Sequence, residues 1–195
     1  TGFSGAESGK IKIGDSGAVF AQGPIGLCAT AGAKLSGASL IITIDSHENR
    51  LKMSRQVGAD VTINYREKDP VPTIMELTQG RGVDVAIEAL GTEQTFQSCM
   101  RVLKPGGTLS SLGVYAKDIQ IPLSAFYAGL GDQTLITTLC PGGKERMRRL
   151  MNIISSKRLD LKPLVTHRFK LDQILEAYDV FSNQRDGVLK VAIAP

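Results

Sequence analysis

The 195-residue chain has no tryptophan, only two histidines and three cysteines, and aromatic residues make up 5% of it. Each scarcity removes a class of protein. Cys28, Cys99 and Cys140 are odd in number, far apart, and never form a C-x-x-C pair. No disulfide framework or zinc ribbon is therefore encoded, and the usage fits a reducing, cytoplasmic setting. No apolar run reaches the roughly 18 residues of a membrane span, and no charged, apolar, cleavable amino terminus marks a signal peptide. The chain opens on Thr1-Gly2-Phe3 without a methionine, which reads as a start in mid-protein.

A formal charge of +4 raises nucleic acid as a partner. The basic residues Lys144, Arg146, Arg148, Arg149, Lys157 and Arg158, however, alternate with Met147, Leu150, Met151, Ile153 and Ile154 in one amphipathic helical pattern. No aromatic residue interleaves them, so a solvated helix face or a domain interface is expected and nucleic acid is not.

Hydrophobic residues make up 42% of the chain and charged residues 22%, and 21 glycines punctuate it. This is the composition of an α/β protein rich in tight turns. From residue 17 the pattern predicts strand 17–22, helix 24–36, strand 40–45, helix 47–57, strand 61–64, helix 70–79, strand 84–89, helix 93–103 and strand 107–114. Runs such as Leu40-Ile41-Ile42 are apolar on both faces, as strands covered by helices on each side must be. Right-handed crossovers then wind a doubly wound parallel sheet whose ligands sit at the carboxyl ends of the strands.

The first strand breaks at Ala21-Gln22-Gly23-Pro24-Ile25-Gly26 into a helix. A helix amino terminus offers unpaired N–H groups and a positive dipole end, so this turn suits a pyrophosphate. Gly23 would allow close approach of the phosphate and Gly26 close packing of helix on strand. Ala21 stands where a first glycine is usual and is tolerated if it keeps a negative φ. A tight βα turn without a ligand is the competing reading. The second strand ends in Asp45, at the spacing expected of a ribose-binding acid; capping the helix that follows is its alternative role. Ala89, Leu90 and Gly91 after the fourth strand, and Leu112, Gly113 and Val114 after the fifth, could form a slot for a flat ring or simply close the core.

Two serine and histidine motifs are set aside. Gly14-Asp15-Ser16-Gly17 lies on the way into a strand and reads as a turn rather than a nucleophile. His167, alone in the strand 164–169, reads as a hydrogen-bonded structural residue rather than a base. Beyond residue 115 the alternation changes. Ile119-Gln120-Ile121-Pro122 and 133–139 suggest a strand pair, followed by the basic helix 143–157, strand 164–169, helix 171–182 and strand 187–193. Cys28 and Cys99 fall within apolar helical patterns and are expected to be packed.

Gly23-Pro24-Ile25-Gly26, Gly58-Ala59-Asp60, Gly82-Val83-Asp84-Val85, Glu88-Ala89-Leu90-Gly91, Lys104-Pro105-Gly106-Gly107 and Leu164-Val165-Thr166-His167 together resemble the medium-chain, zinc-dependent alcohol dehydrogenases. Thr1–Glu7 and Leu139-Cys140-Pro141-Gly142-Gly143 resemble the bacterial secondary-alcohol branch in particular. The resemblance implies a Rossmann fold with a C-terminal segment belonging to the catalytic lobe. Residues 1–14 would be a linker helix, 15–141 the dinucleotide-binding domain, and 142–195 the return to that lobe. It further implies that Gly23, Pro24, Ile25 and Gly26 lie under the pyrophosphate, that Asp45 and Ser46 flank the adenosine ribose, and that Arg50 is near the adenosine. Ala89, Leu90, Gly91, Leu112, Gly113 and Val114 would lie near the nicotinamide half, and Lys190 would reach the pyrophosphate. Arg50 and Lys190 could equally be surface cations.

NAD is the expected cofactor because an anionic Asp45 repels a 2′-phosphate. NADP remains possible through His47 and Arg50. The family's zinc ligands lie upstream of what corresponds to Thr1, so this chain is expected to bind no metal and hold no catalytic residue. The full-length parent would act on a small alcohol or ketone and form a homo-oligomer through residues 133–139. A zinc-free quinone or enoyl reductase, a nucleotide-sensing module and a methyltransferase are the alternatives, the last sharing the glycine turn and the ribose acid.

Overall fold

The computed structural model describes residues 1–122, 124 and 131–195. These fall into two compact units, Thr1–Pro141 and Gly142–Pro195.

The first unit runs α1 (Gly2–Ser8), β1 (Ser16–Phe20), α2 (Pro24–Leu35), β2 (Leu40–Asp45), α3 (Glu48–Val57), β3 (Val61–Asn64), α4 (Pro70–Leu77), β4 (Val83–Glu88), α5 (Glu93–Val102), β5 (Leu103–Ser111) and β6 (Thr134–Thr137). Its six strands form one parallel sheet in the order β3-β2-β1-β4-β5-β6. The doubly wound sheet expected from the alternating pattern is what the chain forms.

Successive side chains of a strand point to opposite faces, so each buried strand feeds two layers. On one face Ala18, Phe20, Ile42, Ile44, Ile63 and Ala86 pack with Ile74 of α4 and Phe96, Cys99 and Met100 of α5. On the other, Val19, Val85 and Ile87 pack with Ala6 of α1, Ala29 of α2 and Leu112. Each fully buried Ile, Leu or Phe in these layers contributes about 1.5–3 kcal/mol through removal from water. Pairing Phe20 with both Ile44 and Glu88, and Glu88 with Ser111, brings the carboxyl ends of β1, β2, β4 and β5 to one edge. Strand order reverses between β1 and β4, and at that point the loops diverge and leave a crevice.

Several local expectations are corrected. Ala21 has φ +72, in the left-handed region, rather than a negative φ. Residues Ile119–Ile121 form no strand: Ile119 packs against the core, and the backbone of Gln120 bonds to the Glu93 and Gln97 side chains. β6 instead joins the sheet beside β5, in register from Thr108↔Thr134 to Ser111↔Thr137. β5 begins at Leu103 rather than 107, because the Pro105-Gly106-Gly107 turn is absorbed where the β4–β5 register shifts. Cys99 is buried as expected, whereas Cys28 is only partly so. Ser16 opens β1 rather than standing in a turn, and its hydroxyl and N–H both donate to Asp84 Oδ2, a structural use.

The second unit contains α6 (Lys144–Ser155), β7 (Val165–Lys170), α7 (Ile174–Ser182) and β8 (Lys190–Ala194), with β7 and β8 parallel. In α6, Glu145 accepts from both Arg148 and Arg149, and the helix buries none of its residues. His167 bonds through Nδ1 to Thr166 Oγ1 at 2.9 Å and stacks on Phe169, which gives its ring a structural partner.

Candidate functional site

The site is assembled at the carboxyl edge of the first sheet. β1 ends at Phe20, the chain reverses through Ala21 and Gln22, and α2 begins at Pro24 with Gly23 as its N-cap and no side chain capping it. Proline suits this first helical position because it has no N–H to leave unpaired. A β-carbon on Gly26 would collide with the Ala21 carbonyl, so this position must be glycine for the turn to close. A β-carbon on Gly23 would meet nothing within 4 Å. One glycine thus makes the packing and the other keeps the surface open in front of the helix.

Asp45 closes the same turn from the neighbouring strand. Its Oδ2 accepts the Gln22 N–H at 2.7 Å, and its Oδ1 accepts the N–H groups of Ser46 at 2.7 Å and His47 at 2.9 Å. The His47 ring lies 3.1 Å from Oδ1, and Arg50 Nη1 lies 3.8 Å from Oδ2. A buried carboxylate is held by such N–H donors and cations in place of water. Asp45 is not the cap of α3: the N-cap is His47 and no side chain caps the helix, while Asp45 bonds to the N–H groups that precede it. Its Oδ2 accepts the N–H of Gln22, the residue before Gly23.

Beside it a cleft of about 460 Å³ is lined by Phe20, Ile44, Tyr65, Arg66, Pro70, Leu90 and Thr92, among others. Tyr65 N–H donates to the Asp45 carbonyl, which puts the cleft on the β2–β3 side of the switch point. Leu90 lines this cleft together with Phe20, Ile44 and Tyr65. The sequence did not single out Phe20, Ile44 or Tyr65 for this wall, although each stands at a strand end.

Ala89, Leu90 and Gly91 form the loop after β4, and Leu112, Gly113 and Val114 the loop after β5. The Leu112 side chain is taken up by the core, so at this edge it offers backbone only. Ile25 is 41% exposed, Leu90 57% and Val114 81%. Ile25 lies in the first turn of α2, and Leu90 and Val114 in the loops that follow β4 and β5. Lys190 is an exposed residue at the start of β8, in the second unit.

A residue not singled out in advance organises these loops. Glu88, the last of β4, is fully buried. Its Oε1 accepts the N–H groups of Leu90 and Gly91 and the hydroxyl of Thr95, while Oε2 accepts Gly91 N–H and the hydroxyl of Tyr115. Burial together with the nearby Glu88 charge pushes the Cys99 thiol well up. Burial, and then the Glu88 charge and hydrogen bond against an opposing bond from Ser111, pushes the Tyr115 hydroxyl above its ordinary range. The signal available in the sequence was a carboxylate ending the apolar run Val85-Ala86-Ile87.

Among the described residues no three His, Cys, Asp or Glu side chains gather as a metal site, and no helix is long and apolar enough to cross a membrane.

A parallel sheet with this strand order, a glycine turn at the first crossover and a carboxylate at the end of the second strand define a Rossmann-type unit. The particular family follows from comparison: residues 24–156 match the zinc-binding dehydrogenase model, and the chain belongs to that family. It is 66% identical over its whole length to an alcohol dehydrogenase of Cupriavidus necator H16, covering 53% of that protein. It is 36% identical, over 99% of its length and 56% of the other's, to an NADP-dependent isopropanol dehydrogenase of Thermoanaerobacter brockii. Among solved structures it is similar to zinc-dependent alcohol dehydrogenase 2 of Streptococcus pneumonia in its apo form. That match has a TM-score of 0.89 and 33% identity, over 98% of this chain and 56% of that one. The chain spans about half the length of the curated relatives it matches.

Proposed function

We propose that this chain is the dinucleotide-binding part of an alcohol dehydrogenase whose parent moves hydride between a secondary alcohol or its ketone and a nicotinamide. The observation that carries this reading is the 2.7 Å bond from Gln22 N–H to Asp45, because it brings the open helix terminus at Gly23 and the strand-end acid into one crevice. The groups present fit a dinucleotide. The uncapped start of α2, with Gly23, Pro24, Ile25 and Gly26, would face the pyrophosphate. Oδ2 of Asp45 has acceptor capacity for a ribose hydroxyl, with Ser46 and Arg50 beside it. The cleft walled by Phe20, Ile44 and Tyr65 would take the adenine, and the loops at 89–91 and 112–114, Leu90 included, the nicotinamide half.

NAD is favoured over NADP because the Asp45 charge opposes a 2′-phosphate. The bound cofactor supplies the hydride acceptor; this chain's own residues bind it, orient it and keep its charged groups compensated. The described residues do not fit a zinc ion, and no step is derived through one. Zinc and the groups that polarise the alcohol are assigned to the remainder of the parent. Residues 142–195 are assigned to that catalytic lobe, and residues 133–139 to pairing between copies in the cytoplasm.

Fluorescence titration with NADH and NADPH tests the reading, with alcohol oxidation measured on the same sample. Saturable binding with NADH preferred, and no turnover, is the expected result. Absence of binding of either nucleotide at millimolar concentration overturns it.

A further inference from the structure

The loops after β4 and β5 meet backbone to backbone. Gly91 has φ +92, and a β-carbon there would press into the backbone of Val114. A β-carbon on Gly113 would strike Glu88 Oε2 and the backbone of Gly91. No side chain separates the two loops, and the only polar groups bridging them from within are Glu88 and Tyr115 among those described. Tyr115 Oη donates to Glu88 Oε2 at 2.9 Å and shares a 2.8 Å bond with Ser111 Oγ. Its ring meets Phe96 edge-on at 6.0 Å between centroids. The phenol is thereby fixed at three points, and the segment following Leu112 is tied to a carboxylate that also sets the direction of the Leu90 and Gly91 N–H groups.

We propose that Glu88 and Tyr115 are positioning residues for the dinucleotide: a clasp between a buried carboxylate and a partly buried phenol that holds the 112–115 loop in register with the 89–91 loop, so that both halves of the cofactor meet one rigid edge. This rests on the dinucleotide reading above. The clasp has two separable parts. Glu88 holds the 89–91 loop, whose Leu90 lines the cleft beside Asp45. Tyr115 adds the 112–115 loop to it. Removing the phenol oxygen frees only the second loop; altering the carboxylate frees both.

A purely structural role lowers stability and leaves no difference between the cofactor and its adenosine half. A positioning role produces such a difference. Tyr115→Phe keeps the ring against Phe96 and removes a hydrogen bond to a charged group, which should weaken NADH binding by about tenfold while leaving AMP within about twofold of wild type. Glu88→Gln places an amide donor among N–H donors and should weaken both ligands. It should also let Tyr115 ionise nearer the ordinary tyrosine range, seen as phenolate absorbance on alkaline titration.

Binding of NADH and AMP to the purified wild type and both variants, with thermal melts to confirm folding, decides the matter. Unchanged NADH affinity in Tyr115→Phe, or equal losses of NADH and AMP, overturns the clasp while leaving the dinucleotide site standing. Failure of the wild type to bind either ligand overturns both. Should Glu88→Gln not fold, the Tyr115→Phe comparison alone settles the proposal, since that variant changes one atom.

Discussion

Replacing Asp45 by asparagine is the most informative single change, because it tests both the bonding seen around this carboxylate and the ribose role proposed for it. The carboxylate accepts N–H groups from Gln22, Ser46 and His47 and is 4% exposed. An amide oxygen can stand in for Oδ1, where two of those donors and the His47 ring converge. The amide nitrogen then faces the Gln22 N–H, donor against donor, in a buried position. An unmet buried donor costs about 1–3 kcal/mol, and loss of the charge-assisted bonds adds to it, so the variant should be about 2–4 kcal/mol less stable. The second effect is on the ligand. A 2′-phosphate about 5 Å from a carboxylate is opposed by roughly 1–3 kcal/mol per unit charge at an effective dielectric between 80 and 20. Arg50 and His47 offset part of this, so Asp45→Asn should shift preference toward NADPH by about tenfold. Urea unfolding measures the first effect, and paired NADH and NADPH titrations measure the second. A folded variant with an unchanged ratio of the two affinities would refute the ribose assignment. Unchanged stability would refute the bonding described at Gln22.

The glycine turn predicts opposite outcomes for two similar changes. Gly26→Ala, which drives a methyl into the Ala21 carbonyl, should cost at least about 1–3 kcal/mol and abolish nucleotide binding; Gly23→Ala, facing open space, should change stability by under about 0.5 kcal/mol yet weaken nucleotide binding, read by melts and titration together. At the opposite edge of the sheet, burial opposes ionisation of Asp84, but Lys104 and Ser16 outweigh it and hold the carboxyl below its usual range. Its contribution is therefore fully present above the unfolded-state value near 3.9 and is lost as pH falls through the lower folded value, and Asp84→Asn should flatten the acid limb of the stability profile. If β6 pairs between copies, light scattering should report a dimer, and Leu135→Lys should shift it toward monomer; a monomeric wild type discards the pairing.

Much of the sheet was legible because Leu40–Asp45 and Val83–Glu88, Thr43 and Asp84 apart, are apolar on both faces and end at charged residues, the pattern of a doubly covered strand. Ile119–Ile121 misled because alternation marks a half-buried stretch but not what pairs with it; its backbone found side-chain partners instead. The positive φ of Ala21 was illegible, since the requirement arises from the reversal demanded by Gly26 and Asp45 together. Spacing pointed to Asp45 beside the glycine turn, where it bonds to Gln22; Arg50, 3.8 Å from that carboxylate, was suggested by the family resemblance alone. Glu88 did not stand out because a buried carboxylate acquires its role only from donors on two loops, one of them 27 residues away.

The central place of β1 bears on how the polypeptide reaches its final form. β1 hydrogen-bonds to β2 on one side and to β4 on the other. During synthesis its first neighbour emerges early, but the second appears only when Val83–Glu88 has left the ribosome. Until then one flank of an almost wholly apolar strand stays open, and other nascent chains can add to it as readily as β4 will. Chaperone dependence and inclusion-body formation should therefore concentrate in products that stop short of residue 88.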